Sequence, residues 1–154
     1  MKKRQRKELR DSLRYLRRNL PFNDQQSASN AVYDFIIRQD FFISATHLAF
    51  YISFDGELNP KKILQEAITQ RKSCYLPMTS NSGADRLNFG LYDQETTLKE
   101  NKWGIEEPVP QGSLISPLKL EVVFVPLVGF DDKCSRLGMG KGLYDKTFNF
   151  KRRN

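Results

Sequence analysis

Leu9, Leu13, Leu16 and Leu20 recur at spacings of four, three and four, which predicts an amphipathic first helix that Pro21 ends. Arginines are expected on its other faces. A second helix is predicted from Asp24 to about Gln39, with Ala28, Val32, Phe35 and Ile36 turned inward. The pattern then changes period. "HLAFYISF" (47–54) is aromatic, β-branched and free of breakers, as a buried strand requires. Asn59-Pro60 suits a helix N-cap and first turn, and the helix it opens carries Ile63, Leu64, Ala67 and Ile68 and ends near Lys72. "SCYLPM" (73–78) reads as the next strand, "NSGAD" (81–85) as a turn and "RLNFGLY" (86–92) as a strand or hairpin arm. Residues 100–118 carry Pro108, Pro110 and Pro117 with Gly104 and Gly112, and read as a surface loop. "EVVFVPLV" (121–128) is nearly all apolar, the pattern of a central parallel strand.

Helices and strands in this order predict an α/β fold: a three-layer sandwich with a mostly parallel central sheet and helices on both faces. With 154 residues, 39% of them hydrophobic, and eleven Phe and six Tyr, one domain with a sizeable core is expected over 1–154. No run of apolar residues is long enough to span a bilayer, and the N-terminus lacks an apolar stretch of the secretory kind. A cytoplasmic monomer without membrane contact is the default expectation. Cys74 and Cys134 lie far apart in no paired-ligand spacing, and His47 has no neighbour that would make it a base.

Charge changes the picture at one end. Residues 1–18 hold nine basic and two acidic groups, which is the whole net charge of +7, while the other 16 basic and 16 acidic residues cancel. The local excess predicts an anionic partner near the N-terminus, a nucleotide or a nucleic acid. A solvated basic face on a docked helix is the plainer alternative.

The C-terminal stretch "FDDKCSRLGMGKGLYDKTF" (130–148) sets three glycines among Arg136, Lys141 and Asp145, after a strand and before a short helix starting near 141–144. Glycines past the carboxyl end of a parallel strand let backbone N–H groups approach phosphate oxygens. Arg136 and Lys141 add full charges, and Asp145 adds a hard oxygen for a phosphate-bound magnesium. The spacing fits neither common nucleotide fingerprint, so on these residues alone a phosphate site and a structural turn both remain open.

The stretch "VPLVGFDDKCSRLGMGKGLYDKTF" (125–148) nevertheless resembles the signature of the 5-formyltetrahydrofolate cyclo-ligase family, with Pro126, Gly129, Phe130, Asp131, Arg136, Leu137, Gly138, Gly140, Gly142, Tyr144 and Asp145 in register. "RKELR" (6–10), "FYISFDGELNP" (50–60) and "WGIEEPVP" (103–110) are similar to that family's basic helix, first strand with its acidic turn, and the stretch before its central strand. The resemblance implies ATP- and Mg2+-dependent cyclisation of 5-formyltetrahydrofolate to 5,10-methenyltetrahydrofolate, through a phosphorylated formyl group. It implies ATP contacts from Arg6, Arg10, Arg136, Leu137, Gly138, Met139, Gly140, Lys141, Gly142, Leu143 and Tyr144, and metal held by Asp145. Arg136, Lys141 and Tyr144 would be catalytic. Folate contacts would come from Ile52, Glu57, Met139, Gly140, Lys141, Gly142 and Leu143. Cys134 stands where the family carries glycine and Leu143 where it carries an aromatic residue. The family continues past its Tyr-Asp pair, so its last strand region is expected to be missing from residues 1–154. The alternatives are an inactive shortened member or a basic nucleic-acid-binding protein, the latter disfavoured because no nucleic-acid motif is evident.

Overall fold

A computed structural model describes residues 3–79, 85–109, 112 and 114–150. Its elements run α1 (Lys3–Arg18), α2 (Phe22–Ile36), α3 (Asp40–Ser44), β1 (His47–Ala49), α4 (Lys61–Thr69), β2 (Ser73–Thr79), β3 (Leu87–Tyr92), β4 (Leu98–Glu100), β5 (Glu106–Pro108), β6 (Leu114–Ile115), β7 (Val122–Val123), β8 (Gly129–Phe130), β9 (Arg136–Leu137) and α5 (Leu143–Thr147). The main sheet has five strands in the order β6-β3-β2-β1-β7. β1 pairs in parallel with both β2 and β7, while β3 runs antiparallel to β2 and to β6. Four strands therefore point one way and β3 alone is reversed, which is the mostly parallel sheet expected.

Alternation along the strands sends side chains to two faces. Leu48, Phe50, Cys74 and Leu76 meet Phe42 of α3 and Ile63, Leu64 and Ala67 of α4 on one side. Ala49, Tyr75 and Phe89 face the other side, where Leu143, Tyr144 and Phe148 pack. The sheet is thus a middle layer with helices on each face. Phe42, Phe50 and Phe89 are fully buried, and the Phe50 and Phe124 rings stack with centroids 4.7 Å apart. Burying a side chain of that size is worth about 2–3 kcal/mol each, so these rings anchor the layers. Pro60 rather than Asn59 takes the N-cap position of α4, yet Asn59 Oδ1 accepts from Lys61 N at 3.0 Å and satisfies one orphan N–H at the helix start.

Several elements depart from the sequence reading for identifiable reasons. α2 buries Ser29 and packs Val32, Tyr33, Ile36 and Ile37 against the core, whereas Ala28 and Phe35 face solvent. The true stripe is centred on a polar residue, since Ser29 Oγ donates to Gln25 O (2.9 Å) and accepts from Asn59 N (3.2 Å). β1 stops at Ala49. Its ladder is set by Ser73 N–H to Thr46 O (2.8 Å), and continuing it needs an N–H from Pro77, which has none. The apolar run 121–128 forms the two-residue β7 at an edge of the described sheet, because Pro126 cannot donate and the chain leaves to build β8. The proline-rich stretch 100–118, expected to be a surface loop, instead completes the β4–β5 hairpin and adds β6 to the sheet edge. The turn expected at 81–85 lies almost wholly outside the described residues.

Candidate active site

Above the carboxyl ends of β1, β2 and β7 lies one large cavity of about 840 Å³. That size suits a small-molecule site, and the location is the expected one for a sheet of this kind. Every residue expected from the sequence to touch ATP, folate or metal lines it: Arg6, Arg10, Ile52, Glu57 and the continuous run from Arg136 to Asp145.

The glycine loop owes its shape to backbone that other residues resist. Gly140 has φ +104 and Gly142, which caps α5, has φ +66. A Cβ on Gly140 would also sit 3.4 Å from Arg10 Cζ, so the guanidinium of α1 lies flat against the loop. Arg10 Nε donates to Gly138 O at 2.7 Å, tying helix and loop together. Arg136 reaches back from β9: Nη1 donates to Pro126 O (3.0 Å), and Nη2 to Asp145 Oδ1 (2.8 Å). The same guanidinium lies 5.8 Å from the centre of the Tyr144 ring. Lys141 Nζ sits over the Trp103 ring at 3.3 Å, close enough for a cation–π contact, and burial with the neighbouring Lys102 pulls its pKa down. Three cations thus surround a loop of accessible backbone, the donor set a polyphosphate requires.

Asp145 does not stand as an isolated ligand, because Arg136 holds its Oδ1. Among the described residues no cluster of three or more His, Cys, Asp or Glu side chains could hold a metal. Asp145 therefore fits magnesium only as a single carboxylate completing a coordination shell of phosphate oxygens and water.

The opposite wall is acidic and buried. Burial raises the Glu57 pKa, and the Phe54 N–H (3.2 Å to Oε2) and Arg17 (3.7 Å to Oε1) only partly offset this. Burial and then the charge of Glu57 push the Tyr144 hydroxyl above its usual range, so it stays a neutral donor. Tyr51 donates its hydroxyl to Leu58 O at 2.7 Å and is shifted upward by burial and then by Glu57. Ile52 and Leu143 line the cavity and also pack against the core. Met139 is half exposed at the rim.

The basic N-terminal helix is held by a residue the sequence reading passed over. Asp55 accepts from Arg14 Nε (2.7 Å), Arg17 Nη2 (3.0 Å) and Arg18 Nε, and Arg17 Nε also donates to Asp55 O (2.7 Å). Burial acts to raise the Asp55 carboxyl, yet these bonds outweigh it and bring it to about 2. α1 has no buried residue of its own, and Leu16 and Leu20 of its leucine stripe are exposed. The arginines, expected to face away, form the docking face.

A sequence model described as the 5-formyltetrahydrofolate cyclo-ligase family matches residues 2–154. The chain belongs to that family. Its relatives include a 5-formyltetrahydrofolate cyclo-ligase of Haemophilus influenzae, 36% identical over 96% of this chain and 79% of that protein. The Escherichia coli K12 cyclo-ligase is 37% identical over 68% of this chain and 58% of its own length. The fold matches the NMR structure of the Aquifex aeolicus 5,10-methenyltetrahydrofolate synthetase with TM-score 0.80 at 26% identity, covering 94% of this chain and 72% of that one. A Mycoplasma pneumoniae synthetase matches with TM-score 0.69 over 97% of this chain and 80% of that one; at 19% identity it speaks for the fold alone. The kinship is therefore with enzymes of the ligase class.

Within the family frame, Cys134 has a structural reading. It stands where the resemblance implies a glycine and has φ +58, in the left-handed region that favours glycine. The turn survives the replacement, with Cys134 N donating to Asp131 O at 2.9 Å and Asp131 Oδ1 accepting from Ser135 N at 2.7 Å. Trp103, Asn101 and Glu107 also line the cavity, a role the broken, polar pattern of 100–118 conceals. The chain's single tryptophan was the available signal.

Proposed function

We propose that this chain couples ATP cleavage to closure of 5-formyltetrahydrofolate, giving 5,10-methenyltetrahydrofolate, ADP and phosphate. The observation that carries the reading is the glycine loop of 138–142, with Arg10, Arg136 and Lys141 converging on it beside a buried Glu57. ATP supplies a transferable phosphoryl group, which the formyl oxygen accepts; the neighbouring folate nitrogen then closes on the activated carbon and phosphate departs with that oxygen. The protein's part is charge neutralisation and alignment, and a covalent nucleophile is not required.

In this reading Arg10, Arg136, Lys141 and the 138–142 backbone hold the polyphosphate, with Arg6 at the rim. Arg136 is preset by Pro126 O and Asp145, so little reorganisation is needed as charge moves onto the transferring group. The Tyr144 hydroxyl donates toward the formyl or phosphoryl oxygen. Glu57, Ile52, Met139 and Leu143 receive the folate ring, where a carboxyl of raised pKa is suited to share a proton with ring N–H groups. Asp145 would serve magnesium as a single carboxylate. Four of the N-terminal arginines are engaged inside the molecule, which weakens the alternative of a nucleic-acid-binding face.

The test is direct. Mixing the protein with 5-formyltetrahydrofolate, ATP and Mg2+ should raise the near-ultraviolet absorbance of the conjugated methenyl product, and omitting ATP should abolish the signal. A folded sample that forms no product, with or without ATP, would overturn the reading.

A further inference from the structure

Among the described residues, Lys141 of the glycine loop makes no hydrogen bond or ion pair through its side chain; what seats it is the Trp103 ring, 3.3 Å beneath Nζ. Trp103 is itself 37% exposed and lies on a short turn between β4 and β5, so its position needs an explanation. The turn is organised by Asn101, whose Oδ1 accepts from Trp103 N (2.9 Å) and Ile105 N (3.2 Å), while Gly104 N donates to Asn101 O (3.0 Å). Asn101 is fixed in turn by Glu107: Nδ2 donates to Glu107 Oε1 at 2.7 Å. Glu107 is pinned to the end of β2, with Oε1 accepting from Thr79 N (3.1 Å) and Oε2 from Thr79 Oγ1 (3.1 Å). One carboxylate therefore links the rigid main sheet to the turn that carries the tryptophan.

We infer that Glu107 is a positioning residue, acting through Asn101 to hold Trp103 beneath Lys141 and so to aim that cation into the cavity. The proposal rests on the reading of Lys141 as a phosphate-binding group. It requires from Glu107 its acceptor geometry, not its charge. A glutamine can keep Oε1 on Thr79 N and Asn101 Nδ2 and turn its amide toward Thr79 Oγ1, which can accept as well as donate. An aspartate at 101 keeps the acceptor for Trp103 N and Ile105 N but sets a second carboxylate against Glu107, breaking the link.

The variants Glu107→Ala, Glu107→Gln and Asn101→Asp separate these roles. Trp103 is the only tryptophan in the chain, so its fluorescence reports the turn without interference. Glu107→Ala and Asn101→Asp should shift the emission to the red and raise its quenching by acrylamide. They should raise the KM for MgATP about tenfold, the worth of a cation–π contact of about 1–1.5 kcal/mol, with kcat held within about threefold. Glu107→Gln should stay within about twofold of the parent in both readouts. Asn101→Asp lies on a partly exposed turn and keeps the proposal testable if Glu107→Ala fails to fold, as circular dichroism would show. Unchanged quenching in Asn101→Asp, or a Glu107→Gln variant as impaired as Glu107→Ala, overturns the proposal. If the fluorescence pattern holds while the parent protein turns over no folate, the positioning role stands and the functional reading falls.

Discussion

Replacing Asp55 by asparagine removes a charge and one acceptor oxygen while keeping the side chain's size and shape. Asp55 has φ +58, a conformation that asparagine tolerates better than most residues, so the substitution adds little backbone strain where alanine would add more. The amide keeps one acceptor oxygen but turns two donors toward Arg14, Arg17 and Arg18. Arg17 is 12% exposed, and among the described residues its only other carboxylate neighbour is Glu57 at 3.7 Å, so its charge would be left poorly compensated. The size of the loss follows from linkage. The Asp55 carboxyl lies at about 2, nearly two pK units below an ordinary aspartate, and each unit is worth about 1.4 kcal/mol. The expected cost is therefore about 2–3 kcal/mol at pH 7, to which the half-exposed Arg18 contributes least. Because the folded-state pKa is depressed, this stabilisation is complete above about pH 5 and is lost as the pH falls from about 4 towards 2. Urea unfolding of Asp55→Asn and its parent should differ by a constant amount between pH 7 and pH 5 and converge below that. The same variant should raise the KM for MgATP, because α1 carries Arg10 to the glycine loop and has no buried residue to hold it there. A stability difference under about 0.5 kcal/mol at pH 7, or one unchanged at pH 3, would refute the claim that Asp55 anchors the helix.

Cys134→Gly should stabilise the chain by about 0.5–1 kcal/mol, since relief of the left-handed strain (about 1–2 kcal/mol) exceeds the added backbone entropy of glycine; a thermal melt would read this as a Tm raised by a few degrees. Gly140→Ala should cost about 1–3 kcal/mol from its φ of +104 and press on Arg10, lowering kcat/KM far more than Cys134→Gly alters it in the same steady-state assay. Arg136→Lys keeps the charge but cannot bridge Pro126 O and Asp145 together, so kcat/KM should fall about 10²-fold with the fold intact by circular dichroism.

Local sequence patterns located α1, α2, α4 and β2 well because each is dominated by its own period or by β-branched and aromatic content, whereas the five-residue α3 (Asp40–Ser44) is too short to show a period and was missed. They failed where a distant residue decides. β1 is cut short by Pro77 on its neighbour, although its run looks like a full strand in isolation. Ser29 sits in the core stripe of α2 because Gln25 O and Asn59 N await it, which no hydrophobic periodicity reveals. In the site, the glycine loop was legible because positive φ and approach to phosphate both demand glycine. The arginines of α1 were legible as charge, but their partner was not: Asp55 in "SFDGE" reads as a turn residue until the fold brings it under the helix. The contacts of Glu107 and Trp103 were hidden for a related reason, since they run from a proline-rich hairpin to the end of β2 and to the glycine loop.

The central claim is that the formyl oxygen is phosphorylated at the glycine loop before the ring closes. Turnover of 5-formyltetrahydrofolate carrying a heavy-oxygen label in its formyl group, followed by mass analysis of the released phosphate, tests it. One labelled oxygen in each phosphate and one ADP formed per methenyl product are expected. Label released into water, or phosphate carrying none, would contradict it.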